Sequence, residues 1–191
     1  MKSNLFFYAK YRPVSLDDFL CSTKTIQLSN SDSVTFITGE SGNGKTTLAK
    51  LLAKGYGSYT EFDYTNLVEE ISNWESNSII IDECNFFTKE QQLALSKVIS
   101  KLVKKGKHIF ICMTSDELLY QCMLNVCDRI INVSKPSSVT LLPELRYICK
   151  NEKVFCSDKE LRDIVISSET MREIMIELNK LVCLRRSDLI G

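Results

Sequence analysis

The stretch Gly39-Glu40-Ser41-Gly42-Asn43-Gly44-Lys45-Thr46 constrains this chain more than any other, because it spells G-x-x-x-x-G-K-[ST] between the right flanks. Val34, Phe36 and Ile37 ahead of it predict a buried strand, and Leu48, Leu51 and Leu52 beyond it recur at helical spacing. Glycines at 39, 42 and 44 take backbone angles closed to other residues, so successive N–H groups can turn inward around a triphosphate at the positive end of the following helix. Lys45 supplies a mobile positive charge for the outer phosphates, and the Thr46 hydroxyl can reach Mg²⁺. The whole loop, with Glu40, Ser41, Asn43 and Thr47 included, is a candidate cradle for ATP.

A second feature depends on the first. Ser78-Ile79-Ile80-Ile81 is a β-branched run closed by Asp82 and Glu83, which reads as a buried parallel strand with its working end at the carboxyl edge of a sheet. Asp82 there can hold Mg²⁺ together with Thr46, and Glu83 can orient or deprotonate an attacking water. Thr88 is an expected N-cap for a helix through Leu93, Leu95, Val98, Ile99 and Leu102. Further strands are expected at His108–Cys112 and Ile130–Val133. The polar cluster Ser29–Ser33 reads as a loop, and Lys135–Ser138 as a linker, because almost everything beyond has helical spacing. The expected fold class is therefore α/β, a phosphate-loop ATPase with a parallel central sheet at residues 1–136, followed by a small all-helical lid at residues 137–191.

Bulk properties narrow the partners. Lysine and arginine number 24 and so do aspartate and glutamate, so any nucleic-acid contact must come from a local patch. No apolar run approaches the roughly 18–20 residues of a membrane span, and the N-terminus lacks the pattern of a secretion signal. The eight cysteines form no C-x-x-C pair and stand beside a single histidine, His108, which favours buried free thiols in a reducing compartment over a metal site. A cytoplasm, or a host cytoplasm for a virus or phage, is the expected location, with a nucleus left open.

Three further stretches resemble one family. "KYRPVSLDDFL" (Lys10 to Leu20), "IIIDECNFFTKEQQLAL" (Ile79 to Leu95) and "SETMREIMIELNKL" (Ser168 to Leu181), with the phosphate loop, occur in the order found in the small ATPase subunits of sliding-clamp loaders. These are AAA+ ATPases that include replication factor C and its phage counterparts. The resemblance implies that Tyr11, Arg12 and Pro13 lie against the adenine side of the nucleotide. It implies that Thr114 stands where the family has a polar sensor near the γ-phosphate, and that Arg172 reaches the phosphates from the lid. Gln92 would link nucleotide state to neighbouring subunits. Implied partners are other AAA+ subunits in a homo- or hetero-oligomeric ring or spiral, a sliding clamp, and primer–template DNA, with no membrane.

Two departures from the family stand out. Asn125-Val126-Cys127-Asp128-Arg129 replaces the family's Ser-Arg-Cys, so the arginine that completes a neighbour's site falls on Val126, and Arg129 lies three places on. The chain also ends at Gly191, where the family continues into a helical collar. Three functions follow: a clamp-loader subunit, a loader of another ring such as a replicative helicase, or a structural subunit that binds nucleotide with little turnover. Lys97, Lys101, Lys104, Lys105 and Lys107 are either a DNA-backbone patch or a solvated helix end. Phe86 and Phe87 face either a clamp or the core.

Overall fold

The computed structural model describes residues 6–20, 33–62, 75–115 and 119–188. The expected loop at Ser29–Ser33 lies outside these residues up to position 32, as does the stretch leading to Trp74. The elements run α1 (Phe7–Lys10), β1 (Val34–Thr38), α2 (Lys45–Lys54), β2 (Tyr59–Phe62), β3 (Ser78–Ile81), a 3₁₀ turn (Cys84–Phe86), α3 (Lys89–Lys104) and β4 (His108–Met113). They continue with α4 (Gln121–Leu124), β5 (Arg129–Asn132), α5 (Ser138–Asn151), α6 (Asp158–Ser167) and α7 (Met171–Asp188).

The five strands form one sheet in the order β2-β3-β4-β1-β5, every neighbouring pair parallel. Parallel neighbours need a crossover, and α3 supplies it between β3 and β4. Strands β1, β3 and β4 bury nearly every residue, the mark of a sheet covered on both faces. Phe36, Ile79, Ile81, Ile109 and Ile111 share one cluster with Leu95, Ile99 and Leu102 of α3. Their alternates Ile37, Ile80 and Phe110 are also buried, on the side where α2 packs against β1, β3 and β4. Strand β2 was not anticipated. As an edge strand it buries only Phe62 of its four residues, so Tyr-Thr-Glu-Phe shows no apolar run.

The polypeptide divides into two compact units. The sheet unit comprises residues 23–41 and 45–133; the helical unit comprises residues 1–22, 42–44 and 134–191. In the helical unit, Phe7 of α1 joins Leu141, Leu145, Ile148, Leu161, Val165, Ile174, Leu178 and Val182 in a single core. The Lys135–Ser138 segment is tied down rather than free. The Lys135 ammonium donates to the carbonyls of Val165 at 3.1 Å and Ser168 at 2.6 Å, and the Ser137 hydroxyl accepts from the Thr140 N–H to cap α5.

Candidate nucleotide site

Within the sheet unit, the phosphate loop leaves β1 at the carboxyl edge of the sheet. Gly39 has φ of 137°, and a Cβ there would lie 2.1 Å from the Val133 carbonyl oxygen, so glycine is the one residue that fits. Its N–H donates to the Thr114 carbonyl at 3.2 Å, which fastens the loop to the end of β4. Thr114 itself is exposed there. The Lys45 ammonium folds back onto the carbonyls of Gly39 at 2.7 Å and Glu40 at 3.1 Å. Thr46 Oγ1 donates to Asp82 Oδ2 at 2.7 Å, so the first turn of α2 and the end of β3 already meet. A hydroxyl and a carboxylate converging in this way are the hard oxygen donors that Mg²⁺ takes, and the pair fits that ion.

Glu83, next to Asp82, sits at φ 55° and ψ 37°, in the left-handed region. That conformation costs a residue with a Cβ about 1–2 kcal/mol, and such strain collects at functional positions. It lets the chain turn sharply out of β3 into the 3₁₀ turn, where the Phe86 N–H donates to the Glu83 carbonyl at 3.2 Å. The two phenylalanines separate here: Phe86, the last residue of the turn, is 62% exposed, and Phe87 just after it is buried in the core. Nearby, burial pushes the Cys112 thiol well up, and the Asp82 carboxylate adds to the shift. The described cysteines are free, and no group of metal ligands among His, Cys, Asp and Glu appears among the described residues.

Gln92 is buried in the sheet unit, where its Nε2 donates to the Phe87 carbonyl at 3.3 Å and its Oε1 accepts from the Tyr120 N–H at 3.0 Å. It joins the segment after the 3₁₀ turn to the start of α4. Arg129 opens β5 opposite Thr35, four residues before Gly39. At about 3.3 Å per residue this is roughly 13 Å from the loop, at the other edge of the sheet, so Arg129 cannot serve its own chain's phosphates. Beside it, the Asp128 carboxylate accepts from the N–H groups of Ser33 and Val34 at 2.9 and 2.8 Å.

Within the helical unit, the centre of the same loop caps α7. Asn43 Oδ1 accepts from the Met171 N–H and the Gly42 carbonyl from the Arg172 N–H, both at 3.1 Å. The Thr170 hydroxyl and carbonyl take the next two amides, those of Glu173 and Ile174. The amides of Met171, Arg172 and Glu173, which have no carbonyl partner within the helix, are thereby satisfied, two of them by the phosphate loop. A Cβ on Gly42 would press on Thr170 and Arg172, at 3.0 and 3.2 Å. Arg172 is thus held by its backbone against the loop.

Tyr11 occupies a cluster that sequence reading missed. Its hydroxyl and the Lys10 ammonium both donate to Glu152 Oε1, and Arg186 donates to Glu152 Oε2 at 2.5 Å and to the Glu152 carbonyl at 3.0 Å. The Glu152 side chain is only 3% exposed. Burial alone would raise its carboxyl, but the donors from Lys10, Tyr11 and Arg186 prevail and hold it below the usual range. Burial and then the Glu152 hydrogen bond push the Tyr11 phenol up. Nothing in the local pattern Asn151-Glu152-Lys153 marks this glutamate, because its partners are more than 30 positions away.

Residues 22–145 match the sequence profile of the family described as the Sigma-54 interaction domain. A putative replication factor C small subunit of Acanthamoeba polyphaga mimivirus is 28% identical over 94% of this chain and 64% of its own length. Human replication factor C subunit 5 is 24% identical over 90% of this chain and 58% of its own. The chain therefore spans about three-fifths of the length of these curated relatives, and they bear out the resemblance to clamp-loader small subunits. The RuvB Holliday junction branch migration motor of Thermotoga maritima matches with a TM-score of 0.74 at 20% identity, over 95% of this chain and 68% of that one. This likeness supports the expected α/β phosphate-loop fold of the AAA+ kind.

Proposed function

Because this chain belongs to the family described as the Sigma-54 interaction domain and carries an AAA+ ATPase fold, we propose that it is an ATP-binding and ATP-hydrolysing subunit of a clamp-loader-like assembly in DNA replication. The observation that carries this reading is the bond between Thr46 and Asp82, with Glu83 held in a strained turn beside it. A bare glycine-rich turn would need neither.

In this reading Lys45 exchanges the carbonyls of Gly39 and Glu40 for the outer phosphate oxygens, and the amides from Glu40 to Thr47 surround the phosphates. Thr46 and Asp82 would hold Mg²⁺, which when bound neutralises charge on the phosphates. Glu83 orients the attacking water and accepts its proton. The Thr114 hydroxyl, exposed at the end of β4, is the polar group for the γ-phosphate. In the helical unit, Arg172 serves the phosphates from the start of α7, and Tyr11, Arg12 and Pro13 form the arm for the adenine.

The proposed partners are further AAA+ subunits in a ring or spiral, a sliding clamp, and primer–template DNA. Both curated relatives carry replication factor C names, which favours a clamp over a helicase as the client. No helix among the described residues is long and apolar enough to cross a membrane. The test is ATP turnover by the chain alone, with primer–template DNA, and with clamp and partner subunits. Stimulation by DNA plus clamp, lost in Glu83→Gln while ATP stays bound, is the expected result. Tight ATP binding without turnover in every mixture would overturn hydrolysis by this chain and leave a structural subunit.

A further inference from the structure

Helix α7 is fastened at both ends within the helical unit. At its start the Asn43 side chain and the Gly42 carbonyl hold the amides of Met171 and Arg172. Near its end Arg186 grips both the carboxylate and the carbonyl of Glu152. The same carboxylate takes Lys10 and Tyr11 of the N-terminal arm, while Phe7 packs edge-on against the Tyr11 ring at 5.4 Å and α1 lies against α7. From Met171 to Arg186 the helix spans about 22 Å at 1.5 Å per residue.

We propose that Glu152 is a positioning residue for nucleotide binding, registering the Tyr11-Arg12-Pro13 arm to the phosphate loop through helix α7. A buried carboxylate shared by Lys10, Tyr11 and Arg186 is a far larger investment than packing the arm requires, since Phe7 already seats it in the core. Three charge-assisted donors fix its direction as well as its distance. A helix cannot easily shorten, so the arm keeps its spacing from Gly42 and Asn43 as long as both ends stay fastened. This inference rests on the reading that the loop holds ATP with the arm on the adenine.

The experiment compares ATP with magnesium tripolyphosphate, which offers the phosphates without the nucleoside. Dissociation constants are measured for the full chain and for Glu152→Gln, Tyr11→Phe, Asn43→Ala and the Glu152→Gln/Asn43→Ala double variant. Loss of a charge-assisted hydrogen bond predicts about a tenfold weaker grip on ATP in Glu152→Gln, with tripolyphosphate unchanged. Tyr11→Phe shifts in the same direction, and it decides the matter if Glu152→Gln does not fold. The double variant departs from the product of the single effects by more than about twofold, which residues this far apart do not normally show. Wild-type binding of ATP with equal or unchanged effects on the two ligands would overturn the inference alone. A wild-type chain that binds neither ligand would overturn the ATP reading, and the inference with it.

Discussion

The Thr46 hydroxyl donates to the Asp82 carboxylate at 2.7 Å, so the first turn of α2 and the end of β3 hold together, within the sheet unit, the two oxygens proposed to take the metal. An arrangement formed in advance would leave less to organise on Mg²⁺ binding there. Asp82→Asn keeps the shape and a hydrogen-bond acceptor but removes the charge. It is expected to weaken Mg²⁺-dependent nucleotide binding on the order of a hundredfold, while Thr46→Ser retains most of it. Titrating Mg²⁺ against nucleotide affinity checks both. Equal metal dependence in Asp82→Asn and wild type would remove Asp82 from the site.

If Glu83 activates water as proposed, it is expected to couple stability and activity in opposite directions. Its left-handed backbone costs about 1–2 kcal/mol, and asparagine tolerates that region better than glutamate does. Glu83→Asn is therefore expected to raise the unfolding free energy by about 0.5–1 kcal/mol while lowering turnover about 10²–10⁴-fold. Urea denaturation beside a turnover assay reads both at once. A variant that is less stable than wild type would mean that the Glu83 side chain, rather than the chemistry, maintains the turn.

What could be read in the sequence follows from how far each interaction reaches along it. The loop, its strand and its helix are contiguous, so Gly39 through Thr47 were placed from spacing alone, and so were Asp82 and Glu83 after a β-branched run. Thr88 and Gln91 form a capping box only three residues apart, and the start of α3 was legible for the same reason. Strand β2 was hidden because an edge strand buries one residue in four. Asn43 belongs to the loop by its spacing, but its bond to the start of α7 depends on a partner 128 positions away. Glu152 is the extreme case: its environment is built by residues 10, 11 and 186, and no local rule collects them.

Acid should loosen the helical unit through Glu160. The Ser157 hydroxyl, then the Ser157 N–H, and then Arg185 hold its carboxyl down from 4.5 to about 2. A carboxyl depressed in the folded state adds stability that is present above its unfolded value and lost as pH falls through the folded one. The contribution is whole above about pH 4.5 and fades toward about pH 2. Glu152, also held low, works in the same direction. Glu160→Gln should lower the thermal midpoint relative to wild type at pH 7, and the gap should close near pH 2. A gap independent of pH would show that the carboxyl is not ionised by its partners in the way described.

Lys97, Lys101 and Lys104 recur at i, i+4 and i+7 along α3, and each is exposed, so they form one basic row on a chain without net charge. Lys107, by contrast, directs its ammonium to the Glu75 carbonyl at 3.0 Å. If the row lies along a DNA backbone, replacing all three lysines with glutamine removes about three phosphate contacts. The slope of log affinity against log salt then becomes shallower by about 3, with the loss uniform across DNA sequences. Binding of primer–template duplex by the assembled complex, measured across a salt series, gives the slope directly. An unchanged slope would assign these lysines to solvent at the end of a helix whose dipole favours them, and DNA contact would then have to be sought elsewhere on the chain.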